Sequence, residues 1–322
     1  MSTPSPVLVT GASGFLGSHL VRRLLREGRE VHAYARPKST FTRLADVSSQ
    51  VTRWSGDITD ADAVAHACAK SQAELVFHCA GDTSSRRFDG DWRTVDRAMG
   101  VNLHGTLALL NGASREGSRV STLVRIGGLE EYGTAPTPWI EAMREEPSSP
   151  YSASQVAATK ACQALQPQLP FAVITLRPAL IYGPGQSTDF LIPALITTLL
   201  RGERFAMTAG KQHRDLLYVS DLVEAAVLAG GRRDLRGAVI NVSSGQEWQV
   251  AAVARRIAEL LGAESLLDMG ARPSREGELQ HLVGRNDLAA ELLGWEPMVG
   301  LDQGFRRTVE WFRNDLTLEV QP

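Results

Sequence analysis

The stretch Thr10-Gly11-Ala12-Ser13-Gly14-Phe15-Leu16-Gly17 decides the fold. Before it, Pro6-Val7-Leu8-Val9-Thr10 is a short apolar run that reads as a buried strand. After it, Ser18-His19-Leu20-Val21-Arg22-Arg23-Leu24-Leu25-Arg26-Glu27 carries apolar residues at helical spacing and stops at Gly28. Strand, glycine turn and helix in that order are what dinucleotide binding requires. Gly11 turns the chain off the strand, Gly14 lets the backbone approach a pyrophosphate, and Gly17 lets the helix pack on the sheet. The helix start, with Ser13, Phe15 and Leu16 around it, offers unpaired N–H groups and a positive dipole end to phosphates. The competing reading is a tight strand-to-helix turn without a ligand.

From this unit to about residue 180, strand-like runs alternate with helical patterns. Strands are expected at 7–10, 31–35, 51–54, 75–79, 122–126 and 171–176, with a seventh at 239–242. Most are rich in Val, Leu and Ile without strict alternation, as strands covered on both faces are. Helices are expected at 61–70, 98–116, 152–166, 221–229, 249–261, 287–293 and 301–313, with an apolar one near 190–201. The alternation predicts an α/β fold with a doubly wound parallel sheet, whose ligands sit at the carboxyl ends of the strands. Residues 1–180, joined by 212–245, form the cofactor-binding domain in this reading. Residues 181–211 and 246–322 form a smaller α/β C-terminal substrate region, and 316–322 reads as a loose end.

The 322 residues are 43% hydrophobic and 22% charged, an ordinary globular composition. Lys+Arg 34 against Asp+Glu 36 gives a net charge of −2, which offers no electrostatic case for nucleic acid or an anionic membrane. Cys68, Cys79 and Cys162 are an odd set without CxxC spacing and read as reduced thiols of a cytoplasmic protein. No signal peptide is expected at the N-terminus, and the apolar stretch 190–200 is too short to span a bilayer. No His/Cys/Asp set has metal-ligand spacing, so no metal is expected.

Further segments, in order, resemble the extended short-chain dehydrogenase/reductase superfamily, in its nucleotide-sugar epimerase, dehydratase and ketoreductase branch. They are Gly56-Asp57-Ile58, His78-Cys79-Ala80-Gly81, Asn102 within Val101–Thr106, Pro150-Tyr151-Ser152-Ala153-Ser154, Leu176-Arg177-Pro178, Arg214-Asp215, Arg275-Glu276-Gly277-Glu278 and Leu292-Leu293-Gly294-Trp295. The resemblance covers essentially the whole chain and implies a Rossmann sheet. It implies that Asp57 and Ile58 lie by the adenine, that Ala80 and Gly81 run along the cofactor, and that Pro178 lies by the nicotinamide. It further implies that Arg214 and Arg275 hold a sugar-nucleotide diphosphate, and that the chain pairs as a homodimer through 98–116 and 152–166.

The second strand ends Ala33-Tyr34-Ala35-Arg36-Pro37-Lys38, with Ala35 where the resemblance puts an acid. A carboxylate there would bind ribose hydroxyls, whereas Arg36 and Lys38 suit a 2′-phosphate. The cofactor expected is therefore NADP(H). The other reading of Arg36 is stacking on adenine, which would leave little preference.

In the family a Tyr is the general acid/base, a Lys four residues on holds the ribose and lowers the Tyr pKa, and a Ser or Thr orients the substrate oxygen. Here Tyr151 is present, Gln155 stands in the Lys place, and the hydroxyl place falls near Gly128, where both candidate positions are glycine. Four helical residues turn about 400°, so Gln155 shares a face with Tyr151, while Lys160, about 900° on, does not. Lys160 is expected as a solvated lysine, and Glu130 and Glu131 as loop carboxylates mostly in solvent. Gln155 can bond a ribose hydroxyl but carries no charge, so Tyr151 stays protonated at neutral pH. A protonated phenol suits donation to a carbonyl that accepts hydride. The expected function is thus an NADPH-dependent ketoreductase acting on a nucleotide-activated sugar or a natural-product ketone. A catalytically weak NADP(H)-binding sensor or partner protein, and a nucleotide-sugar epimerase or dehydratase, are the alternatives.

Overall fold

The computed structural model describes residues 5–86, 88, 90–274 and 277–319, the last four by backbone alone. Seven strands form the central sheet among these residues: β1 (Val7–Thr10), β2 (Val31–Ala35), β3 (Val51–Ser55), β4 (Leu75–His78), β5 (Thr122–Ile126), β6 (Ala172–Pro178) and β11 (Val239–Val242). Their order is β11-β6-β5-β4-β1-β2-β3, and every pair is parallel. The order reverses beside β1, so the crevice for a ligand opens where β1, β4 and β5 end.

Helices α1 (Phe15–Arg26), α2 (Ala61–Ser71), α3 (Trp92–Ala98), α4 (Gly105–Ser114), α5 (Pro150–Leu165) and α7 (Val219–Gly230) cover the sheet. Local chemistry starts them. The Asp60 carboxylate accepts from the Asp62 and Ala63 nitrogens at α2. At α5 Ser149 accepts from the Ser152 nitrogen ahead of Pro150, whose missing N–H costs nothing there. Two apolar clusters pack on the sheet, one with Val9, Leu20, Phe77 and Ile174, the other with Leu8, Val76, Leu123 and Val173.

The remaining elements are β7 (Leu180–Tyr182), α6 (Leu191–Leu200), β8 (Phe205–Met207), β9 (His213–Arg214), β10 (Leu216–Tyr218), β12 (Trp248–Gln249), α8 (Val250–Leu261), β13 (Leu267–Met269), β14 (His281–Leu282), α9 (Asp287–Leu293) and α10 (Leu301–Glu319). Leu195, Ile196, Val253, Ile257 and Phe305 build a third core among them. Leu282, Ala289, Leu293 and Trp295 pack instead with the first sheet cluster.

Three expectations change. The helix expected over 98–116 is split: Met99–His104 forms a wide π turn before α4. That turn lets Asn102 accept from the Asp82 nitrogen at 2.8 Å and donate to the Ser154 hydroxyl at 2.8 Å. Strand β6 runs on to Pro178 because it pairs there with Val242. Helix α10 continues to Glu319, through the first part of the expected loose end. No helix among the described residues is long and apolar enough to cross a membrane.

Candidate active site

Around β1 the site is made of backbone. Gly11 has φ +66°, and a Cβ there would come within 2.6 Å of the Ala80 nitrogen. A Cβ on Gly17 would overlap the Gly11 carbonyl oxygen. Gly14 is the exposed N-cap of α1, whose start has no side-chain cap and no acid in its first turn. The leading N–H groups are thus open to an anion, and the residues present fit a pyrophosphate.

Beside the turn, Ser13 is half-buried, Phe15 packs edge-on against His19, and Leu16 joins the core. The Ala80 nitrogen lies 3.4 Å from Thr10 Oγ1, and a Cβ on Gly81 would meet Asn102 Oδ1 at 3.3 Å. Asp57 accepts from the nitrogen and hydroxyl of Thr59 at 2.9 and 2.7 Å, and these bonds hold its pKa below the usual value. Ile58 is buried beside Gly105, and Pro178 is buried at the end of β6. Arg36 and Lys38 are exposed beyond β2, and the Arg36 charge also favours the Asp57 carboxylate.

Around β5 the site is made of side chains. Tyr151 is buried, and a Cβ on Gly128 would stand 3.2 Å from its hydroxyl. Gly128 therefore lets the backbone pass close to the phenol, where any side chain would crowd the hydroxyl. The Arg86 guanidinium lies between two rings, 5.1 Å from the Tyr151 centroid and 5.2 Å from that of Phe190, and pairs with Glu130 at 3.1 Å. Burial pushes the Tyr151 pKa up to about 12; Glu130 and Glu131 add to the rise, and Arg86 and Arg125 oppose it. A phenol at its ordinary pKa is already protonated at neutral pH, as the sequence suggested, and burial moves it further in that direction.

Gln155 corrects the sequence reading. Its side-chain oxygen accepts from the Arg125 guanidinium, which also donates to Thr159 Oγ1 at 2.9 Å. Arg125 is 1% exposed, one residue before the carboxyl end of β5. A cation does stand behind Tyr151, delivered from the sheet instead of from α5. Sequence reasoning missed it, although an arginine in a strand covered on both faces must find partners.

The two glutamates also differ from expectation. Glu131 is fully buried: it accepts from the Thr159 hydroxyl at 2.7 Å and from Arg177 Nη2 at 2.7 Å, and the Gly128 nitrogen reaches its other oxygen at 3.2 Å. A Cβ on Gly127 would overlap that other oxygen, so the glycine makes room for the acid. Glu130 has only 20% of its side chain exposed. Arg177 continues to Glu145 at 2.7 Å, and Lys160 meets Glu145 at 2.8 Å. Lys160 is thus half-exposed but paired, and Arg177 is spent on the glutamates and on the Tyr132 ring, 4.7 Å away. His78 is structural: Thr10 and Thr106 hydroxyls lie at 2.7 and 3.1 Å, and burial lowers its pKa to about 3.

Of the two arginines assigned to a diphosphate, Arg214 is on β9, where it donates to the Leu279 carbonyl at 2.8 Å and pairs with Glu278 at 3.0 Å. Arg275 lies outside the described residues. No metal site was expected, yet His213, Glu247 and His281 bring ligand atoms within 4.8 Å of one another. Spacing along the chain could not reveal a group gathered from three separate segments.

The model of the NAD dependent epimerase/dehydratase family matches residues 7–243. UDP-glucose 4-epimerase of Mycolicibacterium smegmatis is 33% identical over 95% of this chain and 98% of its own. The structure of MoeE5 in complex with UDP-glucose and NAD superposes with a TM-score of 0.84 at 30% identity, covering 97% of this chain and 99% of that one. The UDP-glucose 4-epimerase of Thermotoga maritima with UDP-glucose gives 0.87 at 26%, with the same coverage. With its parallel sheet, glycine turn and buried Tyr151, the chain belongs to the NAD-dependent epimerase/dehydratase family, among the extended short-chain dehydrogenases/reductases.

Proposed function

We propose that the chain is an NADPH-dependent ketoreductase acting on a keto group of a nucleotide-activated sugar. One observation carries this reading: Tyr151 is a buried phenol, its pKa pushed up to about 12, with its hydroxyl packed closely against the backbone of Gly128. A nicotinamide dinucleotide would lie along Gly11, Gly14, Ala80 and Gly81, and when bound it supplies the hydride. Tyr151 gives its proton to the carbonyl oxygen as the carbonyl carbon accepts the hydride, and the phenol regains a proton from water. Gln155, held by Arg125, fixes the face of α5 that presents Tyr151. Arg214 supplies a cation for the diphosphate, in keeping with relatives crystallised with UDP-glucose.

The phosphate preference rests on Arg36 and Lys38, exposed beyond β2 with no acid at Ala35. Arg36→Ala should erase most of a preference worth roughly tenfold to a hundredfold. Equal affinity of the wild type for NADH and NADPH overturns that part.

A second reading, epimerase or dehydratase, is favoured by Glu130. Its carboxylate sits close enough to raise the Tyr151 pKa and offers the proton acceptor that a neutral phenol is not. The test follows NADPH consumption with a UDP-4-keto-hexose, and separately UDP-glucose turnover with NAD. Reduction of the ketone, lost by roughly 10²–10⁴-fold in Tyr151→Phe, supports the reductase. Conversion of UDP-glucose without net cofactor consumption selects the second reading. Tight NADPH binding with neither reaction makes the chain a cofactor-binding partner protein.

A further inference from the structure

We propose that His213, Glu247 and His281 form a site for a zinc-class transition-metal ion, apart from the Tyr151 centre. His213 and His281 lie on β9 and β14 of the small sheet β12-β9-β14, and Glu247 immediately precedes β12. His213 lies on the middle strand, in register with His281 on the parallel neighbour and with Gln249 on the antiparallel one. Glu247 stands just before β12, and its carboxylate reaches the two histidines. His281 Nδ1 lies 2.6 Å from Glu247 Oε1. The two imidazoles stack 5.0 Å apart with their planes 2° from parallel.

Two imidazoles and a carboxylate are a donor set suited to zinc and its neighbours in the first transition row, and poorly suited to magnesium or calcium, which take oxygen ligands. The ligand atoms already lie within 4.8 Å of one another. Around a tetrahedral ion with bonds of about 2.0–2.2 Å they would stand roughly 3.4 Å apart. Parallel rings do not aim their in-plane lone pairs at one point, so one ring must turn as the ion enters. His281 can do this with little obstruction, because half of its side chain is exposed. Glu247 is also on the surface, so neither movement disturbs a core. Three protein ligands leave a fourth position for water. The filled site would clamp β12 and β14 onto β9, the strand that carries Arg214.

The test is a titration of the chelator-treated, untagged full chain with Co²⁺, read by its visible ligand-field bands and by displacement with Zn²⁺. One equivalent is expected to bind with tetrahedral-type absorption, and Mg²⁺ is expected not to compete. His213→Ala and His281→Ala should each weaken binding by roughly tenfold or more, and Glu247→Gln should weaken it less. His281→Cys should keep the site and add a thiolate-to-cobalt band in the near ultraviolet. That variant, with circular dichroism on every variant, separates loss of a ligand from loss of fold. No saturable cobalt binding, or binding unchanged in both alanine variants, overturns the proposal.

Discussion

The carboxyl ends of β1 and β5 lie in one sheet with only β4 between them, yet they are built on opposite principles. At β1 the chain removes side chains. Gly11, Gly14 and Gly17 expose backbone N–H groups and a helix end, and the glycines bring no charge that a neighbour must pair. At β5 the chain adds charge. Arg125, Glu131 and Arg177 are buried and satisfied by one another and by Gln155, Thr159, Glu145, the Gly128 nitrogen and the Tyr132 ring. A turn defined by missing atoms tolerates its surroundings. A buried ionic chain depends on every member, because each charge out of water has lost its hydration and must regain it from a neighbour.

This difference can be broken experimentally, starting where the effect is largest. Glu131→Ala leaves Thr159 without its carboxylate acceptor and Arg177 with Glu145 alone, and urea unfolding should report a loss of about 3–5 kcal/mol. A loss below about 1 kcal/mol would mean that water replaces the carboxylate, and that the two strand ends are not so different after all. Gly11→Ala forces a side chain into a left-handed turn against the Ala80 backbone. It should cost about 1–3 kcal/mol of stability. Dinucleotide affinity, followed by the fluorescence of bound NAD(P)H, should fall with it; unchanged affinity would show that the turn does not approach the cofactor.

The smallest effect sharpens the picture at the rim of the ionic chain. Burial favours protonation of Glu145, but bonds from Lys160 and Arg177 win and bring its pKa from 4.5 down to about 2. The folded protein therefore holds fewer protons on this group than the unfolded chain does between those values. Its contribution is present above pH 4.5 and is lost as pH falls toward 2. Stability measured from neutral pH down to about 3 should decline less steeply in Glu145→Gln than in the wild type. Parallel curves would remove Glu145 from the network.

Much of the fold was legible because its signals are local. Val7–Thr10, Val31–Ala35, Thr122–Ile126, Val239–Val242 and Asp287–Leu293 fall where the apolar patterns put them. The split at Met99–His104 was not legible, since a π turn arises from the partners Asn102 finds at Asp82 and Ser154. In the site, Gly128 beside the Tyr151 hydroxyl follows from counting residues. The commitment of Gln155 to Arg125, the burial of Glu131 and the stance of Arg86 over Tyr151 do not.

The sequence by itself determined the doubly wound sheet, the glycine cradle and the departures at positions 128 and 155. These are statements about backbone conformation and side-chain identity, which each short segment carries within itself. Only the tertiary structure decided what compensates for those departures, and only it brought His213, Glu247 and His281 together. Charge pairing and metal ligation act through space over a few ångströms, and the chain brings such partners from segments far apart in sequence.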